Sequence, residues 1–320
     1  MPEKTAVIDG YAGLPLPDAP AESLPWITVK DLLWFLYYYP FRLLSTRLPR
    51  RIIYWIAGPI FQLRFRPQRK RAAARMMEFP GAGIAADQAP RIARRSVSKL
   101  AACEMDNLLL ADSSLEGRIC CDGIGGLERL EQARAEGRGV LILTVHFYAS
   151  RIAKRYLARI GYPVMTVRKR ESLRVMTSRL GRRFLYPRYS EFMHRVFRDE
   201  VYVQQPDCAL RILKRLRSGG LVNIHLDGRH HHKAVEGPFL GAPWRFPAGY
   251  LDLIRVSGCR VVPMFATGNG AGFRIQFADA LETIQADSPD EFAAANLPLL
   301  AGAMERQIRD HPEDWAKWIL

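Results

Sequence analysis

The sequence predicts an α/β fold, a mostly parallel sheet flanked by helices, preceded by an N-terminal helical segment that associates with a membrane. Three observations lead there. Short apolar runs of strand length alternate with stretches of helical spacing. The links between them are brief and punctuated by Gly and Pro, a pattern that suits parallel strands joined by crossover helices. A chain of 320 residues, 48% apolar and 25% charged, can bury a catalytic-size core and carry an appendage.

Residues 1–25 are rich in Pro, Ala and acid, and predict a flexible N-terminus with no basic n-region and apolar h-region of a cleavable signal. Residues 26–75 carry two apolar runs, 32–41 and 52–61, each half the roughly 20 residues a spanning helix needs. Between Asp31 and Glu78 stand ten Lys or Arg and no acid. Trp- and Tyr-rich apolar stretches alternating with Arg fit a helix or hairpin lying in the headgroup layer of an anionic leaflet. Core helices with basic outer faces are the alternative reading. Deletion of residues 1–75 is expected to solubilise a protein that otherwise pellets with membranes.

Residues 76–320 form the α/β domain of this reading. Positions 92–110 have helical spacing and 124–136 are amphipathic; the first strand spans 139–145 and ends at His146. A helix is expected from 147 to 160, with Ile152, Tyr156 and Ile160 inward and Arg151, Lys154, Arg155 and Arg159 on its other faces, until Gly161-Tyr-Pro breaks it. A strand at 164–167, helices at 173–184 and 207–217, and a buried strand at 221–226 follow. After a loop come a helix at 250–256 and strands at 260–265 and 273–277. Within that loop, 238–246 is an apolar stretch with two prolines and three aromatics, suited to line an acyl groove or to ordinary loop packing.

The formal charge of +15 calls for an anionic partner. Nucleic acid is disfavoured, because the basic residues lie beside apolar runs and no zinc finger, RNA-recognition signature or basic heptad is present. Five cysteines without C-x2-C spacing suggest a reduced compartment. His225, His230, His231 and His232 crowd one stretch, but adjacent side chains do not converge on one ion, so no metal is expected.

Several blocks in register resemble the bacterial lipid A late acyltransferases (lauroyl/myristoyl transferases), a branch of the lysophospholipid acyltransferase superfamily. They are 126–147 (GLERLEQARAEGRGVLILTVHF), 159–164 (RIGYPV), 219–228 (GGLVNIHLDG), 237–241 (GPFLG), 261–265 (VVPMF) and a closing 308–318 similar to that family's Pro-Glu…Trp end. The resemblance spans roughly residues 60–320. It implies a glycerolipid acyltransferase-like fold at the cytoplasmic face of the bacterial inner membrane. The reaction it implies is transfer of a fatty acyl group from acyl carrier protein or acyl-CoA to a hydroxyl of a lipid or glycolipid, with no other cofactor.

In that reading His146 is the general base, and the family's H-x4-D/E acid orients it. Here that position is Arg151, a permanent donor that cannot accept an imidazole N–H. Asp227, at the end of the 221–226 strand, is the expected substitute, and Glu236 the second choice; a turn residue before Gly228 is the plain alternative for Asp227. Arg229 is expected to hold an acceptor oxygen. Arg168 and Arg170 after the second strand, with Lys169, Arg179, Arg182 and Arg183, are expected to form a phosphate-facing lip, although solvated faces would look the same. The alternative function is a weak or inactive homologue that binds lipid or acyl carrier protein.

Overall fold

A computed structural model describes residues 24–110, 120–168, 178–185, 199–228, 233–268 and 272–319. Its central sheet is built from β1 (Cys121–Gly125), β2 (Val140–Thr144), β3 (Val164–Arg168), β4 (Glu200–Tyr202), β5 (Leu221–His225), β8 (Arg260–Gly268) and β9 (Phe273–Phe277). The strand order is β1-β9-β8-β2-β5-β3-β4. All neighbours run parallel except β8 and β9. This is the mostly parallel sheet the alternating pattern predicts.

β2 lies at the middle, and each residue of its Val-Leu-Ile-Leu-Thr run is buried. A strand covered on both faces reads as a continuous apolar run, which is why it stands out in the sequence. Gly139 launches it: at φ +73° it occupies left-handed backbone, and a Cβ there would lie 2.1 Å from the Leu216 carbonyl oxygen. By contrast β1, which the sequence pattern folds into an amphipathic stretch, is half-exposed, contains two glycines and sits at the sheet edge.

Helix α6 (Ser150–Arg159) connects β2 to β3, whereas α7 (Cys208–Arg217) connects β4 to β5 in the opposite direction across the sheet. Right-handed crossovers therefore place them on opposite faces. α6 packs with α4 (Ala89–Leu110); α7 packs with α8 (Gly249–Ser257), which in turn meets α9 (Pro289–Asp310). α9 begins with a capping box between Ser288 and Glu291 and has Pro289 in its first turn. Helix α5 (Leu127–Ala135) leads into β2.

The expected loop before α8 is instead a β-hairpin, β6 (Ala234–Phe239) and β7 (Ala242–Pro247). Its two-residue turn puts Leu240 at φ 51° and Gly241 at φ 75°. Leu in a left-handed position hides the usual Asn-Gly or Asp-Gly signal. The turn is held by Gly81 N–H donating to the Leu240 carbonyl (2.8 Å) and by Leu240 N–H donating to Glu305 Oε1 (2.7 Å). Pro238 and Pro243 face each other across a two-stranded ribbon, which tolerates missing donors.

The N-terminal helices are α1 (Val29–Arg47), α2 (Arg50–Arg64) and α3 (Arg66–Met76). Thr28 and Asp31 form the capping box that starts α1. α2 and α3 pack on α4 and share its core through Ile53, Ala57, Phe61, Ala72 and Met76. Arg50 forks onto the Asp106 carboxylate at 2.7 and 2.8 Å, joined by the Tyr54 hydroxyl. The opposite faces of α1 and α2 are exposed and apolar: Leu32, Leu36, Tyr39 and Leu43 on α1, and Ile52, Trp55 and Leu63 on α2. Among the described residues no helix is long and apolar enough to cross a membrane.

Candidate active site around His146 and Asp227

Register alone brings His146 and Asp227 together. β2 and β5 are parallel neighbours with Thr144 opposite His225, and Leu226 N–H continues the ladder to the Thr144 carbonyl at 2.8 Å. Two residues beyond each partner stand His146 and Asp227. Their side chains meet with His146 Nδ1 2.6 Å from Asp227 Oδ1. The His146 backbone N–H also donates to the carboxylate, at 3.2 and 3.1 Å to its two oxygens.

The other carboxylate oxygen accepts from the Trp315 indole N–H at 2.7 Å. Trp315 arrives from the far end of the chain, where Phe147 bridges Trp315, Ala316 N–H donates to the His146 carbonyl (2.7 Å) and Tyr148 N–H to the Asp314 carbonyl (3.1 Å). Sequence reasoning does not single out Trp315. Its signal is its place in the closing block, without anything to say which strand end that block covers.

Asp227 is fully buried, whereas the His146 side chain keeps 39% of its surface exposed. Burial alone would push the Asp227 carboxyl up, but the His146 imidazole, the Lys317 charge and the indole N–H hold it below its ordinary value. Nδ1 therefore faces a carboxylate that orients the ring, and Nε2 is the nitrogen left for a ligand. The His225 ring lies against His146, with 4.3 Å between centroids. Burial, with the charges of His146, Lys154, Lys317 and Arg151, pushes His225 well below its ordinary value, so it is a neutral neighbour at pH 7.

α6 starts at Ser150 rather than at 147, because Phe147 and Tyr148 are occupied by the pairing with the C-terminal segment. Ile152 is buried and Tyr156 packs half-buried against the core as expected, but the faces divide less cleanly than the spacing suggests. Lys154 and Arg155 are buried and Ile160 is exposed. The physical reason is that the sheet surface below carries Asn223 and Thr144: Lys154 Nζ donates to Asn223 Oδ1 at 3.0 Å, and Asn223 Nδ2 reaches Thr144 Oγ1 at 3.1 Å. A polar patch on the inner strands draws Lys154 inward.

Glu236 lies on β6 with its side chain 78% exposed, beside Arg245 at 3.5 Å, and is not a partner of His146. Arg168 ends β3 and pairs with Glu200 at 3.4 Å. Arg182 belongs to the short helical turn Gly181–Leu185. Arg170, Arg229, Lys169 and His230 to His232 lie outside the described residues. Arg179 is turned to the N-terminal segment, with its guanidinium 5.5 Å from the Trp26 ring centroid and Nε donating to the Leu24 carbonyl. Arg183 lies over Phe184.

The aromatics of 238–246 do not line a groove. Phe239 packs at 5.8 Å and Trp244 at 6.0 Å from Trp315, so the hairpin backs the indole that holds Asp227. A cavity of about 330 Å³ opens nearby, with Ser98, Lys99, Cys103, Tyr148, Ile152 and Phe273 on its wall. Among the described residues no group of three or more His, Cys, Asp or Glu could hold a metal ion.

Two phosphatidylinositol mannoside acyltransferases of Mycobacterium tuberculosis, from strains CDC 1551 / Oshkosh and ATCC 25618 / H37Rv, are each 25% identical over 195 residues. The matched part is 60% of this chain and 57% of those relatives. The family model described as bacterial lipid A biosynthesis acyltransferase matches residues 87–320, which include His146, Asp227 and Trp315. The chain therefore belongs to the bacterial lipid A biosynthesis acyltransferase family.

Proposed function

We propose that the protein is a membrane-associated O-acyltransferase that moves a fatty acyl group from a thioester of acyl carrier protein or coenzyme A to a hydroxyl of a lipid or glycolipid. The observation that carries this reading is the 2.6 Å contact between His146 Nδ1 and Asp227 Oδ1. It supports a reading in which the base has an orienting carboxylate despite Arg151, and so favours an active enzyme over a silent homologue.

The chemistry follows from the ring. With Nδ1–H donating to Asp227, Nε2 takes the proton of the acceptor hydroxyl as its oxygen attacks the thioester carbonyl. A tetrahedral intermediate forms; its collapse breaks the C–S bond, and the imidazolium returns the proton to the departing thiolate. Asp227 stabilises the imidazolium without taking its proton. The indole and backbone N–H groups on Asp227 keep the carboxylate from rotating away.

Association with an anionic leaflet at the cytoplasmic face of the inner membrane is supported by the exposed apolar faces of α1 and α2 and by the adjoining exposed Arg47, Arg51, Arg64, Arg66, Lys70 and Arg71. The test is acyl-thioester-dependent labelling of membrane lipids, read by mass spectrometry, with wild type and His146→Ala. Loss of the acylated product in the variant supports the mechanism, and unchanged transfer rejects it.

A further inference from the structure

β5 carries Asn223, His225 and, two residues past its end, Asp227, and alternation along the strand sets all three on one face of the sheet. Thr144 lies opposite His225 in the parallel register, and His146 follows two residues after Thr144. Asn223 is locked in place. Its Nδ2 donates to the Ile142 carbonyl and to Thr144 Oγ1, both at 3.1 Å, while Oδ1 accepts from Lys154 Nζ at 3.0 Å. His225 is the next residue on that face, and its ring lies against His146 with 4.3 Å between centroids and 31° between planes.

The Asp227 contact alone leaves the His146 ring underdetermined. It holds the ring at Nδ1, the side chain is 39% exposed, and the last torsion of a histidine has a broad minimum. A ring hinged at one hydrogen bond can tilt and carry Nε2 away from the acceptor oxygen. A flat contact on the ring face opposes that tilt, and His225 supplies it where Asp227 supplies the edge. The charges facing His225 are those of His146, of Arg151 and Lys154 on α6, and of Lys317 near the chain's end. Among them His225 stays neutral, so it offers a protonated His146 a π face without charge repulsion.

We infer that His225 is a positioning residue that braces the His146 ring by face contact, so that Asp227 and His225 together fix the direction of Nε2. The brace rests on the acyltransferase reading only in assigning the proton transfer to His146. A displacement of about 1 Å in a reacting group costs up to about a hundredfold in rate, so a modest tilt is enough to matter.

The test compares His225→Ala, His225→Gln and His225→Phe in the full-length protein in neutral detergent. The first two remove the flat ring; the third keeps one of similar size without ring nitrogens. His225→Ala and His225→Gln should each lower kcat about tenfold or more with the thioester KM within about twofold, and His225→Phe should recover most of the loss. The Nδ1–H resonance of His146, followed in protein with 15N-labelled histidines, should be sharp in wild type and in His225→Phe. Exchange with water should broaden it in His225→Ala and His225→Gln.

Because His225→Phe risks disturbing the Asn223 cluster, the resonance in the two smaller variants carries the decision. Wild-type kcat or an unaltered resonance in both of them overturns the brace. A folded His225→Phe protein as slow as His225→Ala also overturns it, and transfers the role to the His225 nitrogens. Wild-type protein that moves no acyl group, with the resonance behaving as stated, would sink the reaction and leave the brace standing.

Discussion

The indole of Trp315 donates to Oδ2 of Asp227 at 2.7 Å while Oδ1 of the same carboxylate faces the His146 ring. A residue close to the chain's end thereby sets the angle of the carboxylate that sets the angle of the base. Trp315→Phe keeps the aromatic packing but removes the donor. One hydrogen bond to a charged group contributes about 1.5–3 kcal/mol. The variant should fold and lose about tenfold or more in kcat, with the thioester KM little changed. Wild-type kcat in this variant would show that the contact plays no part in orienting the base.

Asp227→Asn probes the orienting role more severely. An amide can present its NH2 to Nδ1 and favour the tautomer that leaves Nε2 protonated and useless as a base. A fall of about 10²- to 10⁴-fold in kcat is expected, with the melting temperature shifted by only a few degrees. Glu236→Gln should leave the rate unchanged, since its carboxylate is exposed on the hairpin beside Arg245.

Lys154 makes stability depend on pH. Burial, together with the Arg168 and Arg151 charges, lowers its ammonium to about 7. Between that value and the ordinary 10.5, the unfolded chain holds a proton that the folded chain has released. Burying the charge therefore destabilises the fold below about pH 7, and this penalty is relieved as pH climbs from about 7 to about 10.5, by roughly 5 kcal/mol at full extent. Urea unfolding of wild type and Lys154→Met across that window should show the wild type gaining relative to the variant. A constant difference would mean that Lys154 stays charged in the fold.

The exposed faces of α1 and α2 can be tested without disturbing the core. Leu36, Trp55 and Leu63 are 61%, 78% and 75% exposed, so changing all three to Ser should leave the melting temperature nearly unchanged. Partition onto anionic vesicles should drop sharply. Undiminished partition would place the membrane contact elsewhere.

Deletion of residues 1–75, which the sequence pattern alone expects to solubilise the protein, removes Arg50 from the buried Asp106 and strips α2 and α3 from α4, so that expectation is replaced. It should produce aggregation rather than a soluble domain. Arg50→Met isolates the ionic part: it strands a buried carboxylate and should cost about 3–5 kcal/mol in equilibrium unfolding. A change under about 1 kcal/mol would mean that water reaches Asp106.

The fold class was legible because a parallel sheet buried on both faces writes its strands as continuous apolar runs, as at β2 and in the Val261–Ala266 part of β8. The hairpin at β6 and β7 was not, since Leu240 takes a left-handed turn position that Gly or Asn normally advertises. The burial of Lys154 on α6 was not legible because periodicity assumes an apolar surface beneath a helix, and here Asn223 and Thr144 offer a polar one.

The candidate site divides along the same line. Local sequence determined that His146 ends a buried strand and that Asp227 ends another, because strand ends are marked by where apolar runs stop. Which strands are neighbours, and in what register, depends on contacts between residues 81 positions apart, and only the tertiary structure decided that. The same holds for Trp315, 88 positions from Asp227 and hidden in a closing segment with no periodicity of its own. Arg151 looked like a missing acid in one dimension. In three, the carboxylate comes from the end of β5.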